Sequence, residues 1–398
     1  MSVAPISEAV TESVPYSKKQ MSEARAANAS SSGLLILLIL VLPIMALLPA
    51  WPGRAFAQQP APQFDDLAAR AAAARDQGNL PLAIDLYTQA EQLKPDWVEG
   101  WFYLGQLQYS TDSYPAAINA FNHVLQLQPN APPAMALRGL CEFETGAYDD
   151  ALRDLEEAVQ KGAANEPRNE QIIRFHYAQL LARASRFQGA LLQYQFFATK
   201  NIDDPDLLLG LGLAGMRDPI LPKDAPPEAR DLLMAAGHAG YVFLSGDSQS
   251  ADTLFNNLFA RFPKGPGLHF FYGSLLSMHG PDLAIPQFQR EVAVDPSNFV
   301  AHAILAYSLM FAGRFAEARP EAEASLAAAP DNGVALVALG RALAETGEPQ
   351  RAAELLNQVL KTEPDNLEAH IGLAVVYART GKREEAYRER MVCLGLEK

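Results

Sequence analysis

Between Gly333 and Asn366 apolar and polar residues alternate in two helical runs, GVALVALGRALAET and PQRAAELLNQVLKT. The pattern predicts two short amphipathic helices. Gly347 sits at the turn between them, and Pro364 closes the second, because proline cannot continue a helix. The same pattern returns along the chain with a spacing of 34 residues almost throughout, in units starting at Phe64, Val98, Pro132, Gln171, Leu232, Pro266, Phe299, Gly333 and Leu367.

The register rests on small residues. The eighth position holds Ala71, Gly105, Gly139, Ala178, Ala239, Gly273, Ala306, Gly340 and Ala374, where two helices of one unit are expected to approach closely. The matching site on the second helix is alanine in all nine units: Ala83, Ala117, Ala151, Ala190, Ala251, Ala284, Ala318, Ala352 and Ala386. Seven units carry glycine at the turn, as a left-handed helix end requires, while Asp112 and Ser185 stand there in the second and fourth. Pro95, Pro129, Pro263, Pro296, Pro330 and Pro364 end the second helices. Near position 24 a bulky residue, such as Tyr87, Phe121, Phe288 or Leu356, is expected to insert into the core.

The departures define the organisation. The fourth unit lacks the proline, carries Arg174 at an apolar place and follows an extra connector, Asn165 to Glu170. After it, residues 206–218 read as a first helix with Ala214 at the small site, and no second helix is expected. PILPKDAPPEAR follows as a loop, since its four prolines forbid a helix through its middle. The last second helix, KREEAYRERMVC, has Arg390 at the bulky place and reads as a polar end cap.

A small eighth residue, glycine near 15, alanine at 20 and proline at 32, repeated every 34 residues, resembles the tetratricopeptide repeat. The resemblance spans about 64–398. It implies an all-α superhelix, a solenoid of about nine helix-turn-helix units with one irregular joint. Four repeats fill 64–204, a half-repeat and proline-rich joint fill 205–231, and five repeats fill 232–398. It also implies an inner groove lined by positions 2, 5, 9 and 12 of each first helix. Those positions hold Phe102, Tyr109, Phe143, Phe175, Phe243, Phe270, Tyr307 and Met310 among mostly aliphatic residues. Asp65, Arg75, Glu99, Arg341 and Glu368 are the charged members, all in the first two or last two units. Exposed apolar surface of that extent marks a partner site; self-packing of the aromatics is the competing expectation. The carboxylate-clamp subtype, which grips chaperone tails, is set aside because Ala68, Ala72, Phe102 and Gln106 stand where its Lys and Asn would be.

Ahead of the repeats, LLILLILVLPIMALL runs from Leu34 to Leu48 without a charge. It is shorter than the roughly 20 residues that span a bilayer and is broken by Pro43. Ala55-Phe56-Ala57 then supplies a small-x-small cleavage pattern. Residues 1–57 are therefore expected to be a signal peptide with a long leading region, cleaved after Ala57 and followed by a linker at 58–63. The repeats would be periplasmic or secreted, in an exported protein of bacterial type. The alternative is an uncleaved anchor over residues 33–51, again with the repeats outside the cytoplasm and as the only membrane contact. The weakly basic leader leaves Met1 and Met21 both open as the start.

The chain carries a net charge of −14, and about −15 once the first 57 residues are set apart. Such a body repels phosphate backbones, so nucleic acid is not an expected partner. Cys141 and Cys393 fall in the third and ninth units and are expected to be free thiols. Gly210, Gly212 and Gly215 match G-x-G-x-x-G, but no strand precedes them, so close helix packing is expected instead of a dinucleotide. His269, His302 and His370 share position 4, too far apart in stacked units to ligate one metal. No cofactor and no metal is expected, and no enzyme, since no catalytic residue set is visible; a catalytic site would fall in the 217–231 loop, where Arg217, Asp218, Lys223, Asp224 and Glu228 cluster. The expected function is a scaffold holding a protein or peptide segment along the aromatic groove. The alternative is a solenoid binding an exported polysaccharide or other polymer. Partner identity and oligomeric state stay open.

Overall fold

The computed structural model describes residues 63–163 and 167–396. The signal-peptide, anchor and cleavage expectations lie outside those residues. Among the described residues there are nineteen α-helices and no strand. Two compact units are present, one ending at His176 and the other beginning at Tyr177. The first contains α1 (Phe64–Asp76), α2 (Leu80–Leu93), α3 (Val98–Ser110), α4 (Tyr114–Leu127), α5 (Pro132–Thr145) and α6 (Tyr148–Gln160). The boundary between units falls inside α7 (Pro167–Arg183). The second contains α8 (Phe187–Thr199), α9 (Pro205–Gly215), α10 (Arg230–Leu244), α11 (Ser248–Arg261), α12 (Leu268–Leu276) and α13 (Pro281–Val294). It continues with α14 (Phe299–Phe311), α15 (Phe315–Ala328), α16 (Gly333–Thr346), α17 (Pro349–Thr362), α18 (Leu367–Arg379) and α19 (Arg383–Leu396).

Six of the nine first helices begin at the residue the repeat register predicts, because each start is set by local chemistry. Asn298, Asn332 and Asn366 cap α14, α16 and α18 by accepting from Ala301 N, Ala335 N and Ala369 N, each at 3.0 Å. All seven turn glycines adopt positive φ, and so do their replacements, Asp112 at +58° and Ser185 at +60°. The turn geometry is thus kept where the glycine is not, at a conformational cost of about 1 kcal/mol.

Within a unit the position-24 side chain fills the gap left by the small eighth residue. A Cβ on Gly340 would lie 2.7 Å from Leu356 Cγ, and one on Gly105 2.7 Å from a ring carbon of Phe121. Ala83, Ala117, Ala151, Ala190, Ala251, Ala284, Ala318 and Ala352 are fully buried opposite, as are Phe121, Leu155, Tyr194, Phe255, Phe288 and Leu356.

Three sequence expectations need correction. The connector before the fourth unit is not a loop from residue 167 onward: Pro167 opens α7, and Arg174 binds Glu170 one turn earlier at 3.0 Å. The half-repeat does find a partner. α10 packs antiparallel on α9, with Gly212 against the Leu233 carbonyl and Gly237 against the Leu208 carbonyl, an approach that excludes any Cβ. Between them Pro222–Asp224 forms one 3-10 turn, held as Arg230 donates to Ala225 O (3.1 Å) and Pro222 O (3.2 Å), with Leu221 and Ala225 buried. Lastly, α19 is not a purely polar cap: Tyr387, Met391 and Leu394 are exposed at i, i+4 and i+7.

Candidate functional site

The eight groove residues divide by burial. Phe102, Phe243, Phe270 and Met310 are buried, whereas Tyr109, Phe143, Phe175 and Tyr307 are half-buried. The buried ones pack on neighbouring rings: Phe102 lies edge-on to Phe121 with centroids 6.1 Å apart, and Phe270 is 5.5 Å from Phe288. The half-buried ones also touch rings, as in Tyr109 with Tyr114 (5.8 Å), Phe143 with His176 (4.7 Å) and Tyr307 with Phe311 (4.8 Å), yet keep part of their surface open. Self-packing and an accessible face therefore coexist.

The two groove arginines are paired locally. Arg341 binds Glu368 at 2.6 Å, and Arg75 holds Asp76 at 2.9 Å with its guanidinium 3.9 Å from the Tyr103 ring. Three of the position-4 side chains have a structural task. Trp101 Nε1 donates to Pro95 O at 2.9 Å, and the Nε2 atoms of His302 and His370 meet Pro296 O and Pro364 O at 3.2 and 2.8 Å. The opposite nitrogens of the two histidines face Glu321 and Glu389, both at 2.6 Å. Each side chain thus ties the start of a first helix to the carbonyl of the preceding proline. Among the described residues Cys141 and Cys393 form no disulfide and both are buried, and burial pushes the Cys141 thiol up to about 12.

The second unit contains a cavity of about 700 Å³. Its walls come from α8, the end of α9, α12 and α14: Phe187, Ala214, Phe270, Leu275, Ile304 and Tyr307. At the lining also stand Leu192, Met278 and Phe311, which are 57%, 55% and 51% exposed, among the most exposed large apolar residues of the described chain. One cation reaches this cavity. The Arg217 guanidinium lies 4.6 Å from the Phe187 ring centroid and 5.3 Å from that of Phe270. It makes no ion pair among the described residues, and burial alone holds its pKa below the ordinary arginine value. Among the described residues no carboxylate lines the cavity; its other polar members are Gln188, Gln195, Ser274, Ser277, Tyr307 and Ser308.

Sequence reasoning placed Phe270 and Tyr307 on this surface. It missed Arg217, which it grouped with the charges of the 217–231 loop. Its distinguishing feature is in the fold: Arg217 N bonds Ala214 O and Asp218 N bonds Leu213 O, which ends α9 with Arg217 at φ +62°. The three glycines of G-x-G-x-x-G serve helix packing, Gly210 against Tyr194, Gly212 against Leu233 and Gly215 against Phe271. Among the described residues no helix is long and apolar enough to cross a membrane, and no group of three candidate ligands surrounds a metal position.

One tetratricopeptide-repeat family model matches residues 68–132, 114–167 and 274–333, and another matches 309–359 and 343–389, together more than half of the chain. No curated protein matches it. Among solved structures, MamA from Desulfovibrio magneticus RS-1 is 19% identical with a TM-score of 0.37, over 42% of this chain and 94% of its own. A tetratricopeptide repeat protein from Parabacteroides merdae is 14% identical, with a TM-score of 0.31 over 79% and 98%. The P58(IPK) TPR domain is 14% identical, with a TM-score of 0.28 over 83% and 92%.

Proposed function

The chain belongs to the tetratricopeptide-repeat family, and from that premise we propose that it is an exported scaffold that holds a segment of a protein partner along the inner faces of its first helices. Tetratricopeptide repeats as a family support protein–protein interaction. The observation that carries the finer reading is the set of half-buried aromatics on those helices, Tyr109, Phe143, Phe175 and Tyr307, continued by exposed Phe311. Rigid aromatic rings with one open face supply contact area at low entropic cost. Phe102, Phe243, Phe270 and Met310 are buried and offer little surface to a partner.

Export rests on the charge-free run Leu34–Leu48 followed by Ala55-Phe56-Ala57. The mature chain is expected to begin at Gln58, which amino-terminal sequencing of the protein from an envelope or secreted fraction checks; retention of residues 33–51 would indicate the anchored form. Affinity capture from that fraction, analysed by mass spectrometry, tests the binding role. Protein partners retained by the wild type and lost by a Phe175→Ala, Tyr307→Ala, Phe311→Ala variant of unchanged helical circular dichroism support it. Equal capture by both would refute the groove assignment, and recovery of glycan alone would favour the polymer-binding alternative.

A further inference from the structure

We propose that the cavity around Arg217 is a binding site for a small amphiphilic monocarboxylate, with its carboxylate on the guanidinium and its apolar body along Phe187, Phe270 and Tyr307 toward Met278 and Phe311. This goes beyond the protein-scaffold reading and does not depend on it.

Four observations converge. The volume, about 700 Å³, lies in the range of small-molecule sites, and the lining is apolar with few polar groups, as such sites usually are. The single cation is without a counter-ion inside a chain of net charge −14, although the other groove arginines are paired. Arg217 is half-buried, and a partly desolvated charge left unpaired is unfavourable, so an anion placed there gains more than it would at a fully solvated arginine. The two phenyl rings contact the guanidinium, and its planar N–H fork can present two parallel donors to a carboxylate. Ser274 and Ser277 do not compete for that role, because Ser274 Oγ donates to Phe270 O at 2.9 Å and Ser277 Oγ to Ser274 O at 2.6 Å.

The backbone points the same way. Arginine at φ +62° occupies a turn that glycine would adopt without strain, and strain of this kind gathers where a side chain is needed for binding. One cation also sets the ligand's charge. A phosphate dianion would leave one negative charge uncompensated among Phe187, Phe270 and Leu275, whereas a monocarboxylate leaves none. The exposed Leu192, Met278 and Phe311 then lose apolar surface to water only when a body of several carbons reaches them.

The test is calorimetric titration of the mature chain with decanoate, kept below its micellar concentration, and with decanamide as the neutral counterpart. Wild type is expected to bind one equivalent of decanoate and to bind decanamide at least tenfold more weakly. Arg217→Met, which keeps the apolar stem, is expected to lose that tenfold preference. Arg217→Gly, which relieves the positive-φ turn, is expected to lose it while its unfolding midpoint stays at or above the wild-type value, so that the loss cannot be assigned to misfolding. No decanoate binding at 1 mM, wild-type affinity in Arg217→Met, or uptake of several equivalents with no charge preference would each overturn the proposal. A Phe143→Ala, Phe175→Ala variant, altered outside the cavity, separates the two readings: it is expected to lose protein capture and to bind decanoate as the wild type does, and failure of the decanoate titration leaves protein capture standing.

Discussion

Glu91 offers a pH experiment with a definite sign. It lies on α2, 2% exposed, and neither carboxylate oxygen has a hydrogen-bond partner among the described residues. Burial, reinforced by Asp96 and opposed by Lys94, pushes its pKa from 4.5 up to about 8. The folded chain therefore keeps a proton that the unfolded chain releases across that interval. Stability from this group is fully present below about pH 4.5, declines as pH rises and is gone above about 8. A shift of that size corresponds to about 5 kcal/mol at about 1.4 kcal/mol per pKa unit, and water entry with local relaxation should reduce it to about 2–3 kcal/mol. Glu91→Gln keeps the shape and removes the titration. Urea unfolding followed by circular dichroism at pH 4.5, 7 and 9 should show wild type and variant alike at pH 4.5. At pH 9 the variant should be more stable by about 2 kcal/mol or more. Other titrating groups, such as Glu142, cancel in the difference between the two proteins. A difference that stays constant within about 0.5 kcal/mol from pH 4.5 to 9 would refute the reasoning.

Two further outcomes test the packing rule. Leu356→Ala empties the site facing Gly340 and should cost about 3 kcal/mol, seen by hydrogen exchange as lost protection concentrated in α16 to α18, because each repeat contacts only its neighbours. Ser185→Gly at φ +60° should raise the unfolding free energy by about 1 kcal/mol, measured in urea, whereas Ser185→Ala should not.

Much of this fold is legible because its rules are short-range. The turn glycines, the Pro-x-Asn caps and the nine alanines at position 20 act within about 30 residues, and the helices begin where those signals stand. The pairing of α9 with α10 escaped the register because its signal is two glycines, Gly212 and Gly237, separated by a proline-rich loop that displaces the second helix from its usual place. The groove was legible in position and not in accessibility. Phe102 and Phe175 occupy the same repeat position, yet Phe102 is covered by Phe121 and its neighbours while Phe175 keeps an open edge. Arg217 was visible only as one charge among five. What singles it out is three-dimensional: two phenyl rings, a positive φ and no carboxylate within the cavity.

The central claim is that the first-helix faces hold a protein segment. It is tested most directly by site-specific photo-crosslinking in cells, with benzoylphenylalanine placed singly at Phe175, Tyr307 or Phe311 and, as controls on second helices, at exposed Leu93 or Leu127. The account expects discrete higher-mass adducts with one protein partner from the three groove positions and none from the controls. Adducts from Leu93 and Leu127 alone, or equal adducts from both sets, would contradict it.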